Sequence, residues 1–359
     1  MNSSSDQQAA KCLKNLAAEQ GLQVSGGRIR RTSSRFCLGV EHGDYNGTEL
    51  FGVGTDRFIW LGYKPNDSGT IRLYSGNFPD DGIVSFQPEQ VPPPRTVQDS
   101  WARFPYGVVH ILRKEGFDIS RGLDAVLYGN IPGGGMSRSA SLTLNLILTL
   151  FEVNGIEGVD DFQIIDMAQA VENEYIGSPC GQLDQIMIYF AKAGMGTHYN
   201  PATRSIEYVP LGAGAADFRI VSMDTGTMRP GLEKSTYKVR RAECEQLVKM
   251  AQAKGFTIRC LADVKQDELY HKLLRAFQPT HPHLCDRLTY IYKAQKRFYE
   301  MLAAWKAGDV EKIGSIFRAD GIGLRDEYAI SGPELETMCD IARTVGGVLG
   351  ERMLGGGDK

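Results

Sequence analysis

The amino-acid sequence predicts an α+β fold with mixed sheets and helices. Residues 50–75 carry strand-like runs, such as Phe58-Ile59-Trp60-Leu61 and Ile71-Arg72-Leu73-Tyr74. The second half, from about 233 to 345, is a series of segments with helical apolar spacing. Strands and helices are interspersed without strict β-α-β alternation, which argues against a doubly wound sheet. A chain of 359 residues can bury large cores and predicts about two domains.

Taken in order, residues 9–20 read as a helix, and residues 50–75 as strands. Residues 87–98 form a Pro-rich connection, and 101–114 an amphipathic helix. A strand at 123–127 enters a Gly-rich loop. The loop feeds a helix that is apolar nearly all round from Leu142 to Phe151, hence a buried one. An amphipathic helix runs from about Phe162 to Glu172. Residues 193–210 have the composition of a hairpin, and 211–216 are rich in Gly and Ala. The domains are therefore expected at 1–25 (an N-terminal extension), 26–212 and 213–359. In the last domain, 218–223 read as a buried strand. Helices follow at 233–254 (Ser235 near the start, Gly255 as the stop), 265–277, 284–306, 310–318 and 333–345. No internal repeat is visible.

Composition removes several classes of function. Net charge is −3 and the isoelectric point about 6.1. With no basic block or arm, nucleic-acid partners are not expected. No apolar run reaches membrane-spanning length, so no membrane partner is expected. The segment Met1 to Gln8 lacks a signal-peptide core. The seven cysteines (12, 37, 180, 244, 260, 285, 339) form no C-x-x-C pair, which points to neither a zinc site nor a disulfide framework. Reduced thiols in a cytoplasmic protein are the simple reading.

Three segments carry chemistry. The first is Pro132-Gly133-Gly134-Gly135-Met136-Ser137-Arg138-Ser139-Ala140. A glycine loop feeding a buried helix aims backbone N–H groups and a positive dipole end at one point, a good place for phosphate. The hydroxyls of Ser137 and Ser139 suit a phosphate-bound cation. The loop lacks the P-loop Lys and is not G-x-G-x-x-G. Taken alone, it also fits a flexible turn before a core helix. The second segment spans 33–48, where Arg35 is followed by Glu41, His42 and Asp44 and then by an Asn46-Gly47 turn. Clustered acceptors and donors suit sugar hydroxyls; a solvated charged loop fits equally. The third spans 172–185. Gly177, Pro179 and Gly181 break the chain after Glu172, and Asp184 stands at the next helix start. A carboxylate there is either a helix cap or a base held against a ligand.

Together these segments resemble the GHMP kinases, most closely their galactokinase branch, from about Arg28 to Gly357. In the first signature of that family, Arg35, Leu38, Glu41, His42, Asp44, Tyr45, Asn46 and Gly47 fall in register. The second is similar to Pro132–Ala140. Residues 172–185 resemble the stretch Glu-x-x-x-x-Gly-x-Pro-Cys-Gly-x-x-Asp-Gln. Asp224-Thr225-Gly226, the Ser235–Cys244 block, Leu324-Arg325-Asp326-x-Tyr328 and the Gly350–Gly357 block look like later landmarks. The order of the blocks carries the resemblance.

The resemblance implies two lobes with the active site between them. It implies ATP as co-substrate, Mg²⁺, and phosphorylation of galactose at its C1 hydroxyl, with a sugar and ATP as the partners of a monomer or weak homodimer. Asp184 would be the base or the orienter of the hydroxyl, and Arg35 would lie beside it to stabilise negative charge. Glu41, His42, Asp44, the Gly181 backbone and Tyr237 would bind the sugar. Residues Pro132 to Ala140 would hold the nucleotide, with Trp101 lining the adenine pocket or simply filling core. Ser139 and Glu172 would hold the metal. Arg240, Arg241 and Arg325 are expected in structural ion pairs.

The chain also departs from the family pattern. The phosphate loop is one residue short, and Arg138 stands for its middle Ser. Ser33-Ser34, Cys37, Gly39-Val40 and Thr48 replace the usual residues around the sugar motif. The last Gly-rich block runs into Asp358-Lys359 where family members continue, so the C-terminal domain is expected to be truncated there, by a cropped chain or an absent last element, with its loop poorly held. These departures leave two alternatives: a kinase of another neutral galactose-like sugar, or a catalytically weak sensor of galactose and ATP. A uronate is disfavoured, because Glu41 would repel it.

Overall fold

The helix expected over 9–20 starts earlier, as α1 (Ser4–Gln20). Asp6 explains the extension: its buried carboxylate accepts from Trp60 Nε1 at 2.9 Å and pairs with Arg31 at 2.6 Å. Ala9, Leu13, Ala17 and Leu22 then join Trp60, Tyr74 and Val126 in one apolar cluster. The expected N-terminal extension is therefore a packed element.

The computed structural model describes residues 4–97, 100–214, 217–227 and 236–357. They divide into two compact units, interleaved along the chain. The first comprises 1–34, 55–132 and 137–189; the second comprises 35–54, 133–136 and 190–359. The expected division at 212/213 thus differs from the observed one: residues 35–48 lie in the second unit, and that unit resumes at Phe190.

Strands β1 (Arg28–Gly39) and β2 (Leu50–Asn66) run through both units and pair with each other. In the first unit, β3 (Ile71–Ser75) pairs antiparallel with β4 (Ile83–Phe86) and parallel with β5 (Gly122–Gly129). β5 pairs antiparallel with Ile59–Asn66 of β2. Helices α2 (Arg103–Lys114), α3 (Arg138–Asn154), α4 (Asp161–Ala170) and α5 (Leu183–Tyr189) complete this unit. As its apolar circumference requires, α3 is buried along almost its whole length, and Gly155 stops it in a left-handed conformation. The Pro-rich connection is strapped down: Arg95 N donates to Tyr175 O at 2.9 Å, and Tyr175 Oη to Pro92 O at 2.8 Å.

In the second unit, β6 (Met195–Asn200) and β7 (Ser205–Pro210) form the expected hairpin, and β6 pairs antiparallel with Leu50–Val53 of β2. Helices α6 (Thr236–Ala253), α7 (Asp267–Phe277), α8 (Pro282–Ala307), α9 (Val310–Asp326) and α10 (Pro333–Thr344) follow. The core of this unit centres on α8, with Leu284, Leu288, Ile291, Phe298 and Met301 facing α6, α7 and α9. Ser235, read as near the start of α6, and Asp358-Lys359 lie outside the described residues.

Two expectations fail here. Residues 218–223 form no strand; Val221 is 72 % exposed and Met223 49 %. An apolar run becomes a strand only where a neighbour pairs its backbone, and none among the described residues does so. Helix α9 runs eight residues past its expected end at 318. Gly321 lies within the extension and is needed for close approach: a Cβ there would lie 2.6 Å from Arg352 Cβ.

Candidate active site

In the first unit, the chain leaves α4 through a wide π-helical turn, Val171–Ile176, which carries Glu172 inward. Glu172 is only 5 % exposed. It accepts from Ser139 Oγ at 3.4 and 3.5 Å and from Gln185 Nε2 at 3.4 Å. Burial, and then the charge of Asp184, push its carboxyl up to about 8; the Ser139 hydrogen bond and the Arg103 charge oppose this. The anionic form thus lacks enough positive charge around it, which a bound cation supplies. Hydroxyl and carboxylate oxygens are the hard donors Mg²⁺ selects. Among the described residues no cluster of three or more His, Cys, Asp or Glu forms a complete metal cage. The fit is therefore to a cation that shares its shell with phosphate oxygens and water.

The loop after this turn is gripped by Asn173. Its Oδ1 accepts from Cys180 N at 2.8 Å, and its Nδ2 donates to Cys180 O at 3.2 Å. Gln169 Nε2 donates to the same carbonyl at 3.0 Å. This sets the direction of the chain through buried Gly181 to half-buried Asp184, the second residue of α5. Glu172 and Asp184, twelve positions apart, are thereby brought within electrostatic range.

Ser137 precedes α3 with φ 54°, a left-handed value. Its Oγ is buried without a hydrogen-bond partner among the described residues. An orphan hydroxyl beside the unpaired N–H groups of a helix start is suited to an anion. Arg138 is exposed, its guanidinium 5.3 Å over the Phe78 ring. Ala140 is buried at the base of the helix, while Pro132, Gly133 and Gly134 are exposed. Trp101 is 4 % exposed, so its ring is covered, and its Nε1 has no partner among the described residues.

Residues Gly133–Met136 belong to the second unit, where the last Gly-rich block seats on them. Gly135 has φ +72°, and a Cβ on it would lie 2.4 Å from Leu354 O; one on Gly355 would lie 2.5 Å from Gly135 Cα. Only glycine permits this approach. Arg35 Nη1 donates to Gly135 O at 2.7 Å, so the segment that carries Arg35 also holds the glycine loop. The expectation of a poorly held C-terminal loop is corrected here. Glu351, Arg352 and Met353 are anchored, Glu351 by Arg318 at 2.8 Å and Arg343 at 2.8 Å.

The segment around Glu41 and His42 is a buried polar cluster. Glu41 Oε2 accepts from Arg352 at 2.9 Å, and Arg352 also donates to Asp320 Oδ2 at 2.7 Å and Cys37 O at 2.5 Å. Arg297 pairs with Asp320 at 2.9 Å. Tyr290 Oη donates to the Glu41 carbonyl at 3.0 Å. His42 is buried; desolvation, then the Arg352 charge, push its pKa down to about 3, so it is neutral. Its Nδ1 is 3.0 Å from Tyr45 Oη, which is 2.6 Å from Tyr328 Oη. Tyr237 is half-buried, its ring centroid 5.3 Å from that of His42 and 5.4 Å from that of Tyr45. Asp44 is half-buried at the start of a short turn, Asp44–Asn46.

Arg240 pairs with Glu243 at 2.9 Å, Arg241 with Glu245 at 3.0 Å, and Arg325 with Asp326 at 2.6 Å, which agrees with structural roles for all three. Sequence reading missed Arg352, Asp320, Arg103 and Asn173 as parts of the site. Arg352 lies within the Gly350–Gly357 block, and nothing local ties it to Glu41.

A match to the GHMP kinases N terminal domain covers residues 103–192. The chain is 34 % identical over 330 residues to galactokinase of Staphylococcus saprophyticus, covering 90 % of this chain and 81 % of that one. It is 29 % identical over 340 residues to galactokinase of Levilactobacillus brevis, covering 94 % and 85 %. The structure superposes on Lactococcus lactis galactokinase complexed with galactose with a TM-score of 0.85 at 28 % identity, covering 97 % and 87 %. With these likenesses across nearly its whole length, the chain belongs to the galactokinase family of the GHMP kinases.

Proposed function

We propose that this chain transfers the γ-phosphoryl group of ATP to the C1 hydroxyl of galactose, giving galactose 1-phosphate and ADP. One observation carries the reading beyond family membership: Glu172, buried and short of positive charge, faces the Ser139 hydroxyl at the start of α3. Such a pair suits Mg²⁺ held against nucleotide phosphates. Bound there, Mg²⁺ would neutralise charge on the phosphate oxygens. Ser139 and Glu172 are its proposed protein ligands.

The loop 132–140, with the N–H groups of α3 and the Ser137 hydroxyl, receives the phosphates in this reading. Asp184 accepts the proton of the C1 hydroxyl or orients it. Arg35 stabilises negative charge on the attacking oxygen or on Asp184, while Glu41, His42, Asp44, the Gly181 backbone and Tyr237 bind the sugar. Glu41 gives Oε2 to Arg352, which fixes its carboxylate in one orientation. His42, neutral, can donate to or accept from a hydroxyl but carries no charge to it. Phosphoryl transfer needs chiefly such positioning and charge stabilisation.

The test is ADP release with Mg-ATP and galactose, 2-deoxygalactose, N-acetylgalactosamine, galacturonate, glucose, arabinose or fucose. Strong turnover with galactose supports the proposal. Turnover with another sugar alone moves the substrate. No ADP with any sugar, while galactose and ATP still raise the melting temperature, makes the chain a sensor.

A further inference from the structure

A cavity of ≈350 Å³ opens in the second unit, walled by the Gly47–Glu49 segment, the β6–β7 turn, residues 259–265 and α8. None of the residues proposed for catalysis lines it. Its volume falls within the range of small-molecule sites.

The wall holds two carboxylates, Glu49 and Asp263, and two cations, Arg259 and exposed Lys265. Both carboxylates in the wall are occupied. Glu49 accepts from Tyr299 Oη at 2.6 Å and meets His198 Nε2 at 2.7 Å. Asp263 is bound by Arg259 at 3.0 Å, and that partner holds its carboxyl below the usual range. Lys265 makes no ion pair among the described residues. Gln295 Nε2 is buried and has no hydrogen-bond partner among them. A buried donor without an acceptor is costly, so this wall calls for an acceptor. Val40 and Phe298 add apolar surface.

We propose that this cavity is an effector site for a small organic anion, a carboxylate or phosphate monoester on a short apolar body. Lys265 and Gln295 hold the anionic head, and the ring of Phe298 faces the body. The site adjoins the sugar motif: a Cβ on Gly47 would lie 2.6 Å from Cys260 Sγ. Filling the cavity therefore bears on the turn that carries Asp44. This coupling rests on the galactose reading above; the binding of the anion does not.

The test uses the full chain with phenyl phosphate and benzoate as probes and neutral benzamide as control, followed by ligand-observed NMR. Wild type should bind at least one anion more tightly than benzamide. Lys265→Ala and Gln295→Leu, with melting temperatures near wild type, should each weaken that binding by roughly tenfold. Preference for phenyl phosphate or for benzoate identifies the head group. In equilibrium dialysis without nucleotide, the saturating anion should change the galactose Kd about fivefold or more. Equal binding of benzamide, anion binding untouched in both variants, or an unchanged galactose Kd overturns the proposal. A wild type that binds no galactose refutes the sugar reading instead, and the anion titrations still decide the site.

Discussion

Arg352 donates to Glu41 Oε2 at 2.9 Å across 311 positions of sequence. The guanidinium is fully buried, and its second partner, Asp320, is also buried. Arg352 thus ties the end of the chain to the proposed sugar motif. Arg352→Met would remove the cation that Glu41 and Asp320 share. We expect a loss of about 3–5 kcal/mol in urea unfolding, the usual cost of breaking a buried pair from one side. A loss below about 1 kcal/mol would show the pair to be dispensable.

Glu172 makes stability depend on pH. Its folded pKa of about 8 exceeds the ordinary 4.5, so the folded state binds the proton more tightly than the unfolded chain does. The contribution is complete below about 4.5 and is lost as pH rises through about 8. The melting temperature of the nucleotide-free protein should fall across that window, by an amount worth roughly a few kcal/mol. Glu172→Gln, or saturating Mg-ATP, should flatten the slope. An equal slope in wild type and variant would refute the assignment.

His42 acts on the acid side. Its folded pKa of about 3 lies below the ordinary 6.5. Its contribution is present above about 6.5 and lost as pH falls toward 3. Between pH 6.5 and 4, His42→Gln should show a shallower fall of stability with acid than wild type, as read by urea midpoints.

Asp184 bears on the chemistry. Asp184→Asn should melt within a few degrees of wild type and lose roughly three orders of magnitude in kcat, since base strength and hydroxyl orientation go together. Turnover within tenfold of wild type would end its proposed role.

Arg138 stands exposed in the first turn of α3, 5.3 Å over Phe78. An exposed guanidinium beside a helix N-terminus can add to phosphate binding. Arg138→Ala should raise the ATP KM several-fold and leave the galactose KM alone. An unchanged ATP KM makes Arg138 a surface residue.

By itself the sequence determined what is local. The buried helix α3, the hairpin at 193–210, the glycine loop and the order of the carboxylate-bearing segments follow from spacing and residue type within a few positions, where apolar periodicity and glycine chemistry act. Tertiary structure decided what depends on distant partners. Asp6 turned a supposed extension into a packed helix because Trp60 and Arg31 lie over it. Gly321 continues α9 because Arg352 packs against it. Residues 218–223 have strand composition but no neighbour among the described residues to pair with. Glu172 acquires its high pKa from burial and from Asp184; the two carboxylates share a segment, but only the fold buries one and brings the other within range. A buried charge takes its energy from whatever surrounds it in space, and those surroundings come from positions that no local pattern names.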